Sequence, residues 1–425
     1  MQPYLTDTFR KRNPHTHHDT AFHDLVRRRD EPLGRTEVPR PAYGCAGGRA
    51  ALAAFEPRST SEKDMSMRKM LLRRGAAGKA LVMSALLALA VPETAYANTV
   101  GVTVRTPGAT TGPASAFSEI STNAACSSGL VSGGGINQAI GTGTSSNGNK
   151  INGTSPSPDG STEYTGSTGV VGTDVAYWLG IGGSGGAVNA SFSSTPYAMC
   201  FTSNLINHTQ VVMNKLAGPT SSGTVGLVTA TCPANTRLLG GGARITPASV
   251  GSLKPIASFP TFNDSAHAFG QKSAADGETN PDSWSAVGWN GGGGNSNNTT
   301  YAYAICSGNN INISGATVKV RHSEVSGPTA ATSGQTVTVG CGGNDGKLVG
   351  GGAAISGGNV TTTNFTGPGS VGDHLNGSYP SDSGGTPVGD GTTNAAYWTA
   401  VTHTGGGSSP STYSDAWALC ADDGV

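Results

Sequence analysis

The chain has 425 residues, no formal net charge, 65 glycines and only 12% charged residues. Its length allows two to four domains. Residues 1–97 hold 16 of the 26 Lys and Arg, which leaves 10 basic against 16 acidic residues in 98–425, a net charge of −6. A chain so poor in Lys and Arg lacks the electrostatic footprint of a nucleic-acid binder.

Residues 1–66 are charged and carry a "HTHH" tract, His15, His17 and His18, that by composition resembles a metal-binding run. The next segment makes that reading weak. Arg68, Lys69, Arg73, Arg74 and Lys79 precede an apolar run from Ala80 to Val91, which Pro92 ends before Ala95-Tyr96-Ala97. A basic region, a short apolar stretch and a small-x-small site make 67–97 a secretory signal peptide, cleaved after Ala97. The run falls short of the roughly 20 apolar residues that a membrane span needs. Residues 1–66 are therefore expected to be a mis-assigned or disordered extension, with translation starting at Met65 or Met67. No membrane attachment is expected after cleavage. Of seven cysteines only Cys45 lies upstream, so the mature chain has an even six.

From residue 98 the chain repeats itself. "GLVSGGGIN" at 129–137, "RLLGGGARI" at 237–245 and "KLVGGGAAI" at 347–355 share a triple glycine: Gly133, Gly134 and Gly135; Gly240, Gly241 and Gly242; Gly350, Gly351 and Gly352. A Gly-Pro pair (Gly112, Gly218, Gly327) stands 14 residues before Cys126, Cys232 and Cys341. Trp178, Trp284 and Trp398 each stand 22 residues before Cys200, Cys306 and Cys420. Three coinciding spacings define three copies, 98–205, 206–311 and 312–425. Two copies share Ser-aromatic-Pro (Ser258-Phe259-Pro260 and Ser378-Tyr379-Pro380), while the first has only "SPSP" at 155–158. The repetition argues against a phosphate cradle, which needs a helix after the glycines; none is predicted here.

Within each copy, segments such as "VGVTVRT", "GTVGLVTATC", "WSAVGW" and "YAYAIC" alternate β-branched with polar residues between Gly, Ser, Asn and Pro. That predicts an all-β fold of three tandem antiparallel units of roughly 105 residues, sandwich-like; a single pseudo-threefold β-prism is the alternative. Six cysteines allow 15 pairings. The repeat favours one disulfide per unit: Cys126–Cys200, Cys232–Cys306 and Cys341–Cys420. In the loop-closure picture a loop of about 75 residues is worth about 4 kcal/mol. Glycine in a strand costs roughly 0.5–1 kcal/mol relative to Ala, so something must require bare backbone. The expectation is that each Trp lies over the glycines of its own unit; a β-bulge is the simpler alternative.

No catalytic residue, metal ligand or cofactor is predicted. His208, His267, His322, His374 and His403 do not recur between copies, and no His pair has ligand spacing. "GGSGG" around Ser184 matches G-x-S-x-G without the strand-to-helix elbow that motif needs, so a secreted hydrolase is the weakest reading. Asp345, Asp382 and Asp390 read as turn residues rather than calcium ligands. Trp289, Tyr301 and Tyr413 lie in divergent Gly/Asn/Ser-rich stretches and are the candidate ligand-binding aromatics.

Taken together, Cys(-Pro), an apolar pair, Gly-Gly-Gly, Ser-x-Pro, Trp and Tyr-Ala-x-Cys resemble a module of exported, uncharacterised bacterial β-repeat proteins. Copy two carries the fullest version, from Cys232-Pro233 to Tyr303-Ala304-Ile305-Cys306, and copy three has Trp417 in place of the Tyr. The resemblance covers nearly all of 98–425 and implies export and a β fold, with no activity attached. A looser similarity to threefold β-prism proteins of extracellular coats rests on the repetition and the Cys/Gly pattern. The expected function is a non-enzymatic structural or adhesive role at the cell surface or in the matrix. The alternative is carbohydrate binding through the divergent aromatics. The expected partner is a polysaccharide, another surface component or a second copy.

Overall fold

The computed structural model describes residues 99–139, 148–186, 191–247, 252–292, 297–308 and 313–423. The His tract, Cys45 and the expected extension (1–66) and signal peptide (67–97) lie outside the described residues.

Alternating apolar residues turn each copy into the same six strands, to which the first copy adds two short ones. The first copy supplies β1 (Gly101–Arg105), β2 (Thr110–Thr111), β3 (Glu119–Ala125), β4 (Leu130–Ala139), β5 (Asn149–Ser157), β6 (Gly169–Thr173), β7 (Tyr177–Ser184) and β8 (Ser193–Thr202). The second supplies β9 (Thr209–Ala217), β10 (Thr224–Thr231), β11 (Leu238–Thr246), β12 (Leu253–Thr261), β13 (Ser283–Asn290) and β14 (Thr299–Ser307). The third supplies β15 (Thr317–Ser326), β16 (Gly334–Gly340), β17 (Lys347–Ser356), β18 (His374–Ser381), β19 (Tyr397–His403) and β20 (Tyr413–Asp422).

Each copy has two layers of three strands, and in the first β2 and β6 are added at sheet edges, on β8 and β9. In the first, β1-β8-β4 lies in one sheet and β3-β7-β5 in another, and the other copies repeat this division. The layers do not end with the copy. Strand β4 pairs with β18, β11 with β5, and β17 with β12, giving three antiparallel sheets that each draw on two copies. Sandwich-like units and the single pseudo-threefold body are thus one arrangement: three sandwiches whose sheets run into one another around an axis. The three disulfides form as the repeat favours, with S–S distances of 2.03, 1.98 and 2.05 Å. Each ties together the two sheets that its own copy spans.

Every residue of the triple glycines is explained by what surrounds it. The first glycines meet at the axis: a Cβ on Gly240 would lie 3.0 Å from the Gly133 Cα, and one on Gly350 3.0 Å from the Gly240 Cα. The second lies under tryptophan. A Cβ on Gly134 would lie 2.5 Å from Trp178, on Gly241 2.3 Å from Trp284, and on Gly351 2.3 Å from Trp398. The third abuts the preceding copy's backbone: a Cβ on Gly242 would lie 2.2 Å from the Thr154 carbonyl oxygen, and one on Gly352 2.3 Å from that of Ser258. Each Trp therefore covers a glycine of its own copy from the opposing sheet. The β-bulge is present as well, because one extra residue, Ser132, Leu239 or Val349, breaks the register just before each triplet. Such bulges increase local twist and bend the strand, here where three sheets turn around one axis.

Trp178, Trp284 and Trp398 have no exposed surface. Burying a ring system of that size is worth about 4–6 kcal/mol of transfer free energy as an upper estimate. Pro156, Pro260 and Pro380 stand opposite them in register. The first copy's counterpart of Ser-x-Pro is therefore Thr154-Ser155-Pro156, and Thr stands where the others have Ser. The indole N–H groups of Trp284 and Trp398 donate to the Ser258 and Ser378 hydroxyls at 2.8 and 3.0 Å. The Trp178 N–H is buried without a partner.

Candidate functional site

The aromatics singled out from the sequence do not form a binding surface. Trp289 is 3% exposed on β13, and its indole N–H donates to the Val371 carbonyl at 3.1 Å. Tyr301 is 7% exposed on β14 and stacks on Tyr303 with ring centroids 6.4 Å apart. Tyr413 is half-buried at the start of β20, paired with Ser326 and Ser356. Their glycine- and asparagine-rich flanks suggest loop tips, but all three rings belong to strands.

Other sequence candidates are committed to structure. Ser184 closes β7, and its hydroxyl donates to the Ser115 carbonyl; the next element among the described residues is the strand β8. Asp382 accepts the N–H groups of Gly384 and Thr386 in a turn. Asp390 accepts the Thr106 N–H and pairs with Arg105. Asp345 pairs with Lys319 and Arg321 at 2.8 and 3.0 Å, and the Lys319 bond is the main cause holding its carboxyl below the usual range. Of the five histidines in the repeats, His208, His267 and His322 meet carboxylates, whereas His374 and His403 meet backbone carbonyls. Among the described residues no three His, Cys, Asp or Glu side chains are grouped to hold a metal ion.

An exposed aromatic does occur where the sequence reading did not place one. The loop after β12 makes a single turn, Ala268–Gly270, in which Ala268 and Phe269 have φ of 49° and 55°. For non-glycine residues this conformation costs about 1–2 kcal/mol each, and it persists only where the surroundings enforce it. The Phe269 N–H donates to the Asp264 carbonyl at 2.7 Å, and the Ser285 hydroxyl holds the Gly270 carbonyl at 2.7 Å. The Asp264 carboxylate takes both the backbone N–H and Nδ1 of His267, and the N–H is the main cause keeping its pKa below the ordinary carboxylate value. The His267 ring lies 4.6 Å from that of Phe262. The result is a Phe269 side chain 64% exposed on a locked turn.

Phe269 borders a groove of about 590 Å³ between β9, β10 and this loop, together with Leu216, Asn214, Asn263 and Gln271. Leu216 is 44% exposed, and Asn263 and Gln271 are exposed amides. Asn214 links β9 to β10 by donating to the Thr229 carbonyl at 2.8 Å. An apolar ring beside amides can stack on one face of a ligand and hydrogen-bond its edge. The signal in the sequence is faint: counted from the proline that faces the Trp, Phe269-Gly270 stands where the other copies have Thr165-Gly166 and Gly389-Asp390.

None of the protein-family models and none of the curated proteins matches this chain. Three disulfides suit an oxidising, extracellular environment. No helix among the described residues is long and apolar enough to cross a membrane.

Proposed function

We propose that this is an exported, non-enzymatic protein with a structural and adhesive role at the cell surface or in the extracellular matrix, and that it adheres by holding polysaccharide in the Phe269 groove. The observation that carries the reading is the exposed Phe269 ring, held in a left-handed conformation beside Leu216 and the amides of Asn263 and Gln271. A pyranose presents a C–H face to such a ring and hydroxyls to such amides. The leader ending at Ala97 and the three disulfides support export. The repeat pattern's resemblance to exported bacterial modules supports the same setting.

The test is co-sedimentation of the oxidised protein with bacterial cell walls and a panel of insoluble polysaccharides. Saturable binding is expected, and Phe269→Ala should weaken it about ten-fold, the 1.4 kcal/mol scale of one lost ring stack. The variant's melting temperature should barely change, because the ring is exposed and alanine bears the same left-handed backbone strain. Absence of binding, or a Phe269→Ala protein that binds like wild type, would falsify the reading. Intrinsic tryptophan fluorescence is a poor reporter, since all five indoles are at most 3% exposed.

A further inference from the structure

Strands β15 and β20 set two acids opposite each other in register, Glu324 and Asp415. Like charges directly opposite on a sheet are destabilising. The same position of the second copy, five residues before its closing cysteine, pairs Tyr301 with Lys215, so the two acids are not part of the repeat. Asp415 has no exposed surface, and its Oδ1 lies 3.0 Å from Nε2 of His322, whose ring stacks on Trp417 with centroids 4.9 Å apart. Asp415 Oδ2 and Glu324 Oε2 are both buried without a donor, although the two carboxyl groups lie within hydrogen-bonding reach. An ionised carboxylate only accepts, so a bond between these oxygens needs a proton on one of them. Two carboxyl groups that share a site resist ionising together.

Both loops that wall the Phe269 groove are fastened beside this pair. The β17–β18 loop carries Phe365, which lines the groove, and its Asn359 donates to Glu324 Oε1 at 3.1 Å. The β12–β13 loop carries Phe269 and Gln271. Its Asp276 carboxylate accepts the His322 backbone N–H at 3.0 Å, and its Ala274 carbonyl accepts the Trp417 indole N–H at 3.2 Å. The two loops are bonded to each other, the Phe365 N–H to the Gln271 carbonyl at 2.8 Å and the Ser273 N–H to the Val360 carbonyl at 2.9 Å. The charged groups acting on Asp415 are His322 and Glu324. Others nearby are engaged elsewhere, Asp276 and Asp345 with Arg321, and Asp264 and Glu278 with His267. Residues 357–366 and the β17 residues opposite, Ala353 to Ile355, carry no charge.

We propose that Asp415 and Glu324 share one proton, and that this proton is a pH-sensitive fastening for the two loops that form the Phe269 groove. Its bearing on adhesion rests on the groove reading; the proton site itself does not. With the proton in place, Glu324 keeps an oxygen for Asn359 and Asp415 keeps one for His322. Its loss sets two negative charges against each other beneath both loops. The titration agrees in sign. Burial pushes the Asp415 carboxyl up to about 6, with His322 pulling the other way and Glu324 adding to the rise. A carboxyl raised in the folded state contributes stability that is complete below its unfolded value of about 3.9 and is lost as pH rises through about 6. The groove is thus firmer in mildly acidic surroundings than above neutrality.

The experiment compares the oxidised wild type with Asp415→Asn, whose amide accepts from His322 and donates to Glu324 without titrating. The comparison is needed because burial depresses His374 and His403, whose contribution to stability is lost as pH falls, the opposite sense. Between about pH 5 and about pH 7.5, denaturant unfolding should find the wild-type unfolding constant rising about ten-fold relative to that of the variant. Hydrogen exchange, corrected for the intrinsic rate, should find protection at the Phe365 and Ser273 amides falling over the same range in wild type and not in Asp415→Asn. If the variant does not fold, carboxyl-carbon NMR of the wild type decides, with Asp415 expected to titrate at about 6. The proposal is overturned by a flat stability comparison, by Asp415 titrating in the ordinary carboxylate range, or by loop protection that ignores pH. Polysaccharide co-sedimentation is run alongside, and tighter binding at the lower pH is expected in wild type alone. No binding at either pH overturns the groove reading and leaves exchange and NMR to decide the proton.

Discussion

The three Trp-glycine contacts are alike in shape and unlike in one hydrogen bond, which makes them a built-in comparison. Replacing Trp by Phe leaves a similar void in each copy. In Trp284→Phe and Trp398→Phe it also strips a buried serine hydroxyl of its donor; in Trp178→Phe no bond is lost. Denaturant unfolding should therefore find the first two more destabilising than Trp178→Phe by about 1 kcal/mol; equal costs would mean the indole bonds contribute nothing. Gly241→Ala should be worse than an ordinary overpacking change of about 1–3 kcal/mol, since its methyl would meet both the Trp284 ring and the Tyr303 carbonyl oxygen at 2.3–2.4 Å. At this scale the sequence was most legible where a position came in triplicate. The Trp-over-glycine pairing follows from spacings kept in all copies. Phe269 occurs once, and nothing in its composition records that its φ is 55°. Trp289 and Tyr301 misled because glycine-rich flanks signal loops, whereas here the strands run up to them and turn both rings inward.

Among elements, the loops between the Ser-x-Pro and Trp strands do the joining. Four residues before each Trp stands Asp174, Asn280 or Asn394, with φ of 48°, 56° and 50°. Each side chain accepts a backbone N–H from the first strand of the next copy: Thr209 at 2.7 Å, Val318 at 3.0 Å and Val102 at 3.3 Å. Asn and Asp tolerate this left-handed conformation better than other non-glycine residues. The third loop closes the circle by pairing with β1, where the Val104 N–H donates to the Thr392 carbonyl at 2.8 Å and the Gly391 N–H to the Val104 carbonyl at 2.9 Å. Asn394→Ala should loosen that closure, so hydrogen exchange at Val102 and Val104 should accelerate while Val211 and Val212 on β9 stay protected. Uniform acceleration across all three first strands would contradict a local clasp. The clasp could have been found by aligning the copies on Trp, but an Asp in one copy and Asn in the others, in loops of different length, hides it from a search for identical residues.

At the scale of the molecule, strand identity and disulfide pairing were legible because both are local to one copy. The pairing of β4 with β18, β11 with β5 and β17 with β12 was not: each junction rests on two residue pairs between different copies and leaves no periodic trace. Those junctions, the three glycines meeting at the axis and the closure onto β1 make the copies interdependent. The Phe269 groove draws on this, because Phe365 of the third copy lines it beside β9 and β10 of the second. The most direct test is calorimetric unfolding of the oxidised protein beginning at residue 98. Interlocked copies predict one transition whose calorimetric and van't Hoff enthalpies agree. Three resolved transitions, or a calorimetric enthalpy about three times the van't Hoff value, would mean the copies unfold as independent domains.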